Sequence, residues 1–435
     1  MRQDRLPSSF QKLEAGDIDH AKQVEVLNSV SVTTPNRTGW ETWSCVWAPD
    51  GSYFAWSCGA RKVQLVPWDQ VKNFVPDKSK CYNTQARFQL VPDLLHGLPQ
   101  NDEPTQLKLI NCHRQHHIID CGEMVWSLAF GSGKSQAVFS TKWHRFHFDR
   151  NLILATGLQS GRIKLWACET GALLMELLDH KDVVRSLSFS PDGSLILVSG
   201  SRDGTLKLWD LNDDGNMTKT LRGDAGWIFD CQWSPNCKFL ASVGNKKSVI
   251  LWNMEVHKPE RKFDGHYHDV TGCDFSPDGA LLATASYDTR VIIWDIYTGD
   301  AVKELGHLFP PPRPIFAGGA NDHYVRGVCF SPHGLGVTSI SDDGYVRFWH
   351  FGEDRDPESI AVHRNAVCCN YSPLGAVVAV GDRSGSVVFY AAPQRVESLQ
   401  HIARMSIRRI LPSTKVDYLH LPLRLKEFIK YRYIE

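Results

Sequence analysis

The chain has no net charge: 48 Lys and Arg stand against 48 Asp and Glu among 435 residues. No global basic field is therefore available to gather nucleic acid or an anionic membrane, and neither is expected as a partner. No apolar run reaches the roughly 18 residues that a spanning helix requires. Met1 to His20 is polar and mixed in charge, without the apolar stretch of a secretory leader. No C-x-x-C pair occurs among the 12 cysteines, several of which sit inside strand-like runs such as Val328-Cys329-Phe330. Reduced, buried thiols in an intracellular protein, cytoplasmic or nuclear, are the expectation.

Catalytic signatures are missing as well. There is no nucleophile motif, no paired-carboxylate motif and no H-E-x-x-H, so neither catalytic residues nor a cofactor is expected. Gly131-Ser132-Gly133-Lys134-Ser135 resembles half of a phosphate-binding loop. Leu128 stands where that loop needs its first glycine, and Gln136 to Trp143 does not read as a helix, so a hairpin loop is the better reading. Cys112, His113, His116, His117 and Cys121 lie close together but meet no standard zinc spacing, and no metal is expected.

What the sequence does contain is a repeat. Trp166, Trp209, Trp252 and Trp294 fall 43, 43 and 42 residues apart, and each closes a short alternating run. That spacing is the WD-repeat period of about 40–45 residues. Trp68-Asp69, Trp209-Asp210 and Trp294-Asp295 are WD dipeptides. Between the tryptophans come turns such as Ser190-Pro191-Asp192-Gly193 and Ser276-Pro277-Asp278-Gly279, in which Pro presets φ and Asp-Gly tolerates positive φ. Aligned on these marks, seven repeats end at Trp68, Trp166, Trp209, Trp252, Trp294, Trp349 and Tyr390.

The fold expected is all-β: a seven-bladed WD-repeat β-propeller over 21–396, with eight blades as the alternative. A polar tail precedes it at 1–20 and a small helical module follows at 397–435. Insertions are expected at 71–119, 131–150 and 303–320, the last carrying a stiff Phe309-Pro310-Pro311-Pro312-Arg313-Pro314 segment. His180, Ser199, Asp203 and Trp209 form one polar tetrad, and His266, Thr284, Asp288 and Trp294 another. Although they resemble a catalytic triad in residue type, their periodic recurrence marks them as fold-holding networks. The fourth strand of the last blade is open between Gln23 to Val32, which would clasp the ring and hide an edge, and Pro393 to Leu399.

The rim of a propeller channel is set by the residues that enter each first strand. Counting back four or six positions from the last aromatic of these strands selects Trp126, Arg185, Trp227, Phe229, Asp269, Tyr324 and Arg326. The positions before the second turn add Arg202 and Tyr287. Trp, Tyr and Arg dominate binding hot spots, so this end is the expected site for a protein substrate, and Phe229 is the one most readily packed between blades. The three arginines suggest an acidic or phosphorylated peptide.

After Tyr390 the period changes. Leu399, Ile402, Ala403, Ile407, Ile410 and Leu411 recur at three- and four-residue steps, with Ser398 as N-cap and Pro412 as stop. A second helix fits Leu423 to Tyr431, with Leu425, Phe428 and Ile429 on one side. Ser398 to Arg409, and Leu421-Pro422-Leu423 followed by Leu425 and Phe428, resemble a SOCS box. Joined to the propeller, they make the chain similar to the WD-repeat and SOCS-box-containing protein family, a resemblance that extends over most of the chain.

That resemblance implies a non-catalytic substrate adaptor of a cullin–RING ubiquitin ligase. Leu399, Ile402, Ala403 and Ile407 would bind Elongin C, itself paired with Elongin B, and Leu421, Pro422 and Leu423 would meet the cullin scaffold that carries the RING protein. Ala403 stands where the Elongin motif usually has Cys, and Arg424 where the cullin motif has its second Pro. The competing reading is a scaffold whose tail only caps the propeller, and exposure of Leu399 separates the two.

Overall fold

The structure, a computed structural model, describes residues 19–27, 41–59, 61–68, 116–133, 152–223, 226–307, 324–351, 357–393 and 398–432. The alternating runs around each repeated aromatic pair into seven separate sheets. Blade 1 comprises Cys45–Trp47, Tyr53–Ser57, Lys62–Pro67 and His117–Asp120, and blade 2 comprises Val125–Ser132, Leu152–Leu158, Arg162–Ala167 and Leu173–Leu178. Blade 3 follows with Val184–Phe189, Ile196–Ser201, Thr205–Asp210 and Asn216–Arg222. Blade 4 has Ile228–Trp233, Phe239–Gly244, Val249–Asn253 and Lys258–Phe263, and blade 5 has Val270–Phe275, Leu281–Ser286, Arg290–Asp295 and Ala301–Gly306. Blade 6 is Val325–Phe330, Gly336–Ser341, Tyr345–His350 and Ser359–Val362. Among the described residues, blade 7 supplies only three strands of its own, Ala366–Tyr371, Val377–Asp382 and Val387–Ala391.

The N-terminus completes the ring. Gln23–Leu27 pairs antiparallel with Val387–Ala391 as the outer strand of blade 7, with Val26 opposite Val388. Asp19–His20 adds a short parallel strand beside Ser359–Ile360 of blade 6. Of the two sources open for the last strand, the clasp is therefore the one used, and it covers an edge that would otherwise be free to aggregate. Leu399 belongs to a helix instead.

Neighbouring blades bury their apolar faces on each other. Ile153, Ala155, Ile163 and Leu165 of blade 2 pack with Leu187, Leu197 and Trp209 of blade 3, and the same layering recurs around the ring. Within blades, the repeated indole donates from Nε1 to a Ser or Thr hydroxyl on the second strand. These bonds are Trp166 to Thr156 at 3.1 Å, Trp209 to Ser199 at 2.8 Å, Trp252 to Ser242 at 2.9 Å, Trp294 to Thr284 at 2.9 Å and Trp349 to Ser339 at 2.7 Å. Both expected tetrads close. His180 lies 2.8 Å from Asp203 and 2.7 Å from Ser199; His266 lies 2.9 Å from Asp288 and 2.7 Å from Thr284. Burial works against the Asp288 charge, but the bonds from His266 prevail and hold its pKa down to about 2.

Three features differ from the sequence reading. Trp68 is not the blade 1 counterpart of Trp209. Phe54 pairs with Val66 as Leu197 pairs with Trp209, so Val66 holds that register and Trp68 lies two residues beyond, edge-on to Trp47 at 4.2 Å. A further His–Ser–Trp set joins His307 to Ser339 at 2.9 Å and thence to Trp349. It escapes the eye because the segment after His307 separates it from its blade. The insertions are also narrower. His117 to Ile119, at the end of 71–119, form with Asp120 the outer strand of blade 1, Gly131 and Ser132 finish a blade 2 strand, and Lys303 to Gly306 belong to the outer strand of blade 5. Lys134, Ser135, Cys112, His113 and Phe309 to Pro314 fall outside the described residues. Cys121 is buried, and the His117 ring bonds the Glu169 carbonyl at 2.9 Å. No metal-binding group is formed among the described residues.

Candidate protein-docking sites

The tail forms α1 (Leu399–Ile410), α2 (Ser413–Val416) and α3 (Leu423–Ile429). The Ser398 hydroxyl accepts from the His401 amide at 3.1 Å, the expected cap. Pro412 does stop α1, and it also opens the short α2, which the sequence reading did not foresee. The orientation of α1 is the informative feature. Its basic face, His401, Arg404 and Arg408, is buried, while its apolar face points outward, with Leu399 84% and Ile402 50% exposed. Ala403 and Ile407 share that outer face, and they line a groove of about 490 Å³ with Leu421, Leu425 and Phe428. Leu423 is 73% exposed at the start of α3, and Pro422 is its N-cap residue.

The buried face is held by specific bonds. His401 Nε2 donates to the His333 carbonyl at 2.9 Å, and its Nδ1 accepts from Arg404 at 2.8 Å. The Arg404 guanidinium lies over Phe428 at 4.4 Å and Tyr431 at 4.1 Å. Asp295 Oδ2 lies 3.5 Å from Arg408 Nη2 and also accepts the Ser413 hydroxyl. The Tyr431 hydroxyl donates to Asp278 Oδ2 at 2.5 Å. Asp278 and Asp295 are the aspartates of the blade 5 turn and of its WD dipeptide, and in the sequence they serve only as repeat markers. The three-residue and four-residue steps from His401 to Arg404 to Arg408 were the available signal for an inward basic stripe.

At the other end of the channel the propeller builds a second surface. In blades 2 to 7 the ladder between first and second strands skips the second residue of the first strand. A residue left out of a ladder in this way is re-aimed. The skipped residues are Trp126, Arg185, Phe229, Thr271, Arg326 and Val367, and Trp43 holds the equivalent place in blade 1. All seven line one cavity of about 360 Å³ at the channel mouth. Trp43 was missed although counting back four from Trp47 selects it. Phe229 reaches this cavity as well, and does not pack away between blades.

Of the other expected residues, Tyr287 also lines this cavity, while Arg202, Trp227, Tyr324 and Asp269 lie outside its lining. The Arg185 guanidinium lies 4.6 Å from the Trp126 ring centroid, 5.5 Å from Trp43 and 5.6 Å from Phe229. Arg202 lies over Trp227 at 5.0 Å and over Trp126 at 5.6 Å, and Trp227 is 48% exposed. Burial, and next the neighbouring Arg202 charge, pull the Arg185 pKa down to about 10. Arg326 differs, because Asp342 engages it through Nε and Nη2 at 2.6–3.0 Å and the Tyr287 hydroxyl lies 2.8 Å from Nη1. Tyr324 lies tilted against Tyr287 with ring centroids 4.8 Å apart, and Asp269 accepts from the Lys246 amide at 3.3 Å. The channel wall also carries buried carboxyls. Burial raises the pKa of Asp230 to about 6 and that of Asp274 to about 7.

Blade geometry and tail together define a WD-repeat propeller that carries a SOCS box. The WD domain, G-beta repeat model matches residues 171–210, 215–253, 257–295 and 313–350, and the SOCS box model matches 395–430. The chain is 53% identical to human WD repeat and SOCS box-containing protein 1, over 91% of this chain and 92% of that protein. It is 50% identical to the mouse protein of that name, over 96% and 97% respectively. The chain belongs to the WD repeat and SOCS box-containing protein family. One chain of a solved mitotic checkpoint complex superposes over 91% of this chain and 100% of its own length with a TM-score of 0.61 at 17% identity, a likeness of fold alone. No helix among the described residues is long and apolar enough to cross a membrane.

Proposed function

We propose that the chain is a non-catalytic substrate adaptor of an Elongin B/C–cullin–RING ubiquitin ligase, in which the propeller binds the substrate and the SOCS box recruits Elongin C and the cullin. One observation carries the reading: α1 turns its charged face to the propeller and leaves Leu399, Ile402, Ala403 and Ile407 uncovered. A helix that served only as a cap would do the reverse, because burying apolar surface is what makes packing favourable. The capping reading has the Arg408–Asp295 contact in its favour but leaves the outer face unexplained. Catalysis belongs to the recruited conjugating enzyme, and the adaptor contributes proximity. The cullin contacts are Leu421, Pro422 and Leu423, next to the same groove.

Leu399→Asp tests this. At 84% exposure the change costs the free chain little, but in the complex it puts an unpaired charge into an apolar partner groove. The variant should keep its melting temperature and lose copurification with Elongins B and C. Undiminished Elongin capture by the folded variant refutes the reading.

A further inference from the structure

We propose that the channel mouth is a carboxylate-binding subsite, in which the guanidinium groups of Arg185 and Arg202 grip an Asp or Glu side chain of an acidic peptide segment; the inference rests on the propeller being the substrate-binding half of the molecule. Among the described residues, several covered arginines pair with carboxylates, whereas Arg404 lies on Phe428 and Tyr431 and bonds His401. Arg290 has Asp288 at 3.1 Å, Arg347 has Asp343 at 2.5 Å, Arg408 has Asp295, and Arg326 has Asp342. Arg185 and Arg202 have none: among the described residues neither guanidinium donates a hydrogen bond or pairs with a carboxylate. Arg202 Nε is buried without a partner. An unsatisfied buried donor on a charged group is costly, and two like charges side by side add to that cost. A bound anion removes both.

The geometry selects the anion. Both guanidinium groups lie over aromatic rings, and a guanidinium offers a planar fork that matches a planar carboxylate. The wall of the same cavity carries Asp230 and Asp274. Partly ionised near neutral pH, they oppose a dianionic phosphate more than a monoanionic carboxylate. A cavity of about 360 Å³ has ample room for an acidic side chain, with Trp227 exposed nearby to hold the flanking peptide. The mouth and the tail lie at opposite ends of the propeller. Each first strand starts at the mouth, and the turns that receive the tail, at Asp278 and His333, close the first strands at the far end. Substrate capture and Elongin capture are therefore separable by mutation.

The full chain is panned against random dodecapeptides displayed as fusions at both ends, so that no free terminal carboxylate is offered. Elongin copurification is scored separately on each variant, so that loss of the adaptor reading and loss of this one register independently. The recovered peptides should share one Asp or Glu. Replacing that residue with Asn or Gln should weaken capture about tenfold or more, and so should Arg185→Gln or Arg202→Gln in the receptor. Where Arg185→Gln lowers the melting temperature, Arg202→Gln, at a turn outside the blade cores, carries the test. Four results overturn the proposal: no recovered binder, binders without a common acid, undiminished capture by the Arg202→Gln variant, or tighter capture when phosphoserine replaces the shared acid.

Discussion

Asp295→Ala is expected to release the tail from the propeller. Asp295 is 2% exposed, its Oδ2 faces both the Arg408 guanidinium and the Ser413 hydroxyl, and Arg408 is itself 1% exposed. Removing the carboxylate leaves Arg408 buried with its carbonyl contact to Leu411 at 3.2 Å but no counter-charge. Breaking one partner of a buried pair costs about 3–5 kcal/mol. If that cost falls on the docked state of the tail, its opening equilibrium rises by about two to three and a half powers of ten. Hydrogen exchange read by mass spectrometry should therefore show faster exchange in α1, with Leu281–Ser286 in the middle of blade 5 unchanged. Asp295 Oδ1 also accepts from the amides of Tyr297 at 2.9 Å and Thr298 at 3.2 Å, so part of the loss belongs to that turn. Asp295→Asn separates the two, because an amide oxygen still serves the turn while the charge is gone. Elongin capture should survive both changes, since the groove residues are untouched. Unchanged α1 exchange in a folded Asp295→Ala protein refutes the latch.

Trp294→Ala should destabilise the propeller by about 3–5 kcal/mol in denaturant unfolding, through the cavity left in the core between blades 4 and 5 and the lost bond to Thr284; a wild-type midpoint would undo the assignment of that core. Asp274→Asn should behave differently with pH. Burial, with the nearby Asp230 charge adding to it, raises the folded Asp274 pKa to about 7, so the native fold binds this proton more tightly than the unfolded chain does. That stabilisation is complete below about pH 4 and is lost as pH rises through about 7. The Asn variant lacks this loss, so its stability relative to the native protein should climb by a few kcal/mol at most across that window and level off above it. A pH-independent difference between the two melting curves excludes the mechanism.

The seven-bladed ring was legible because a propeller repeats itself. Blades 2 to 7 each bury one indole or phenol at one register, and the turns at Asp192 and Asp278 punctuate that register at nearly fixed distance, so Trp166 through Trp349 could be counted. Blade 1 shows the limit: without a pairing partner on the page, Trp68 looked like the repeat aromatic, and only the pairing of Phe54 with Val66 moved the register by two. The clasp was legible as one of two choices, since Gln23 to Val32 alternates modestly and Pro393 to Leu399 follows directly on the last repeat. Which of them pairs with Val387–Ala391 depends on where the chain ends meet in space, which no local pattern encodes. Trp126, Arg185, Phe229 and Arg326 at the channel mouth are legible because bulge position is periodic too, although Trp43, Thr271 and Val367 hold the same place and were not selected. Whether an arginine there is free or engaged was not legible, because Asp342 is 16 residues from Arg326 and reaches it only through the blade. The apolar stripe from Leu399 to Ile410 was likewise plain from its helical spacing. That it faces outward, with Arg404 and Arg408 turned in, was decided by tertiary structure alone. Burying these guanidinium groups is unfavourable until Asp295 faces Arg408 and Phe428 and Tyr431 lie against Arg404, and only the folded tail docked on the closed ring brings those partners together.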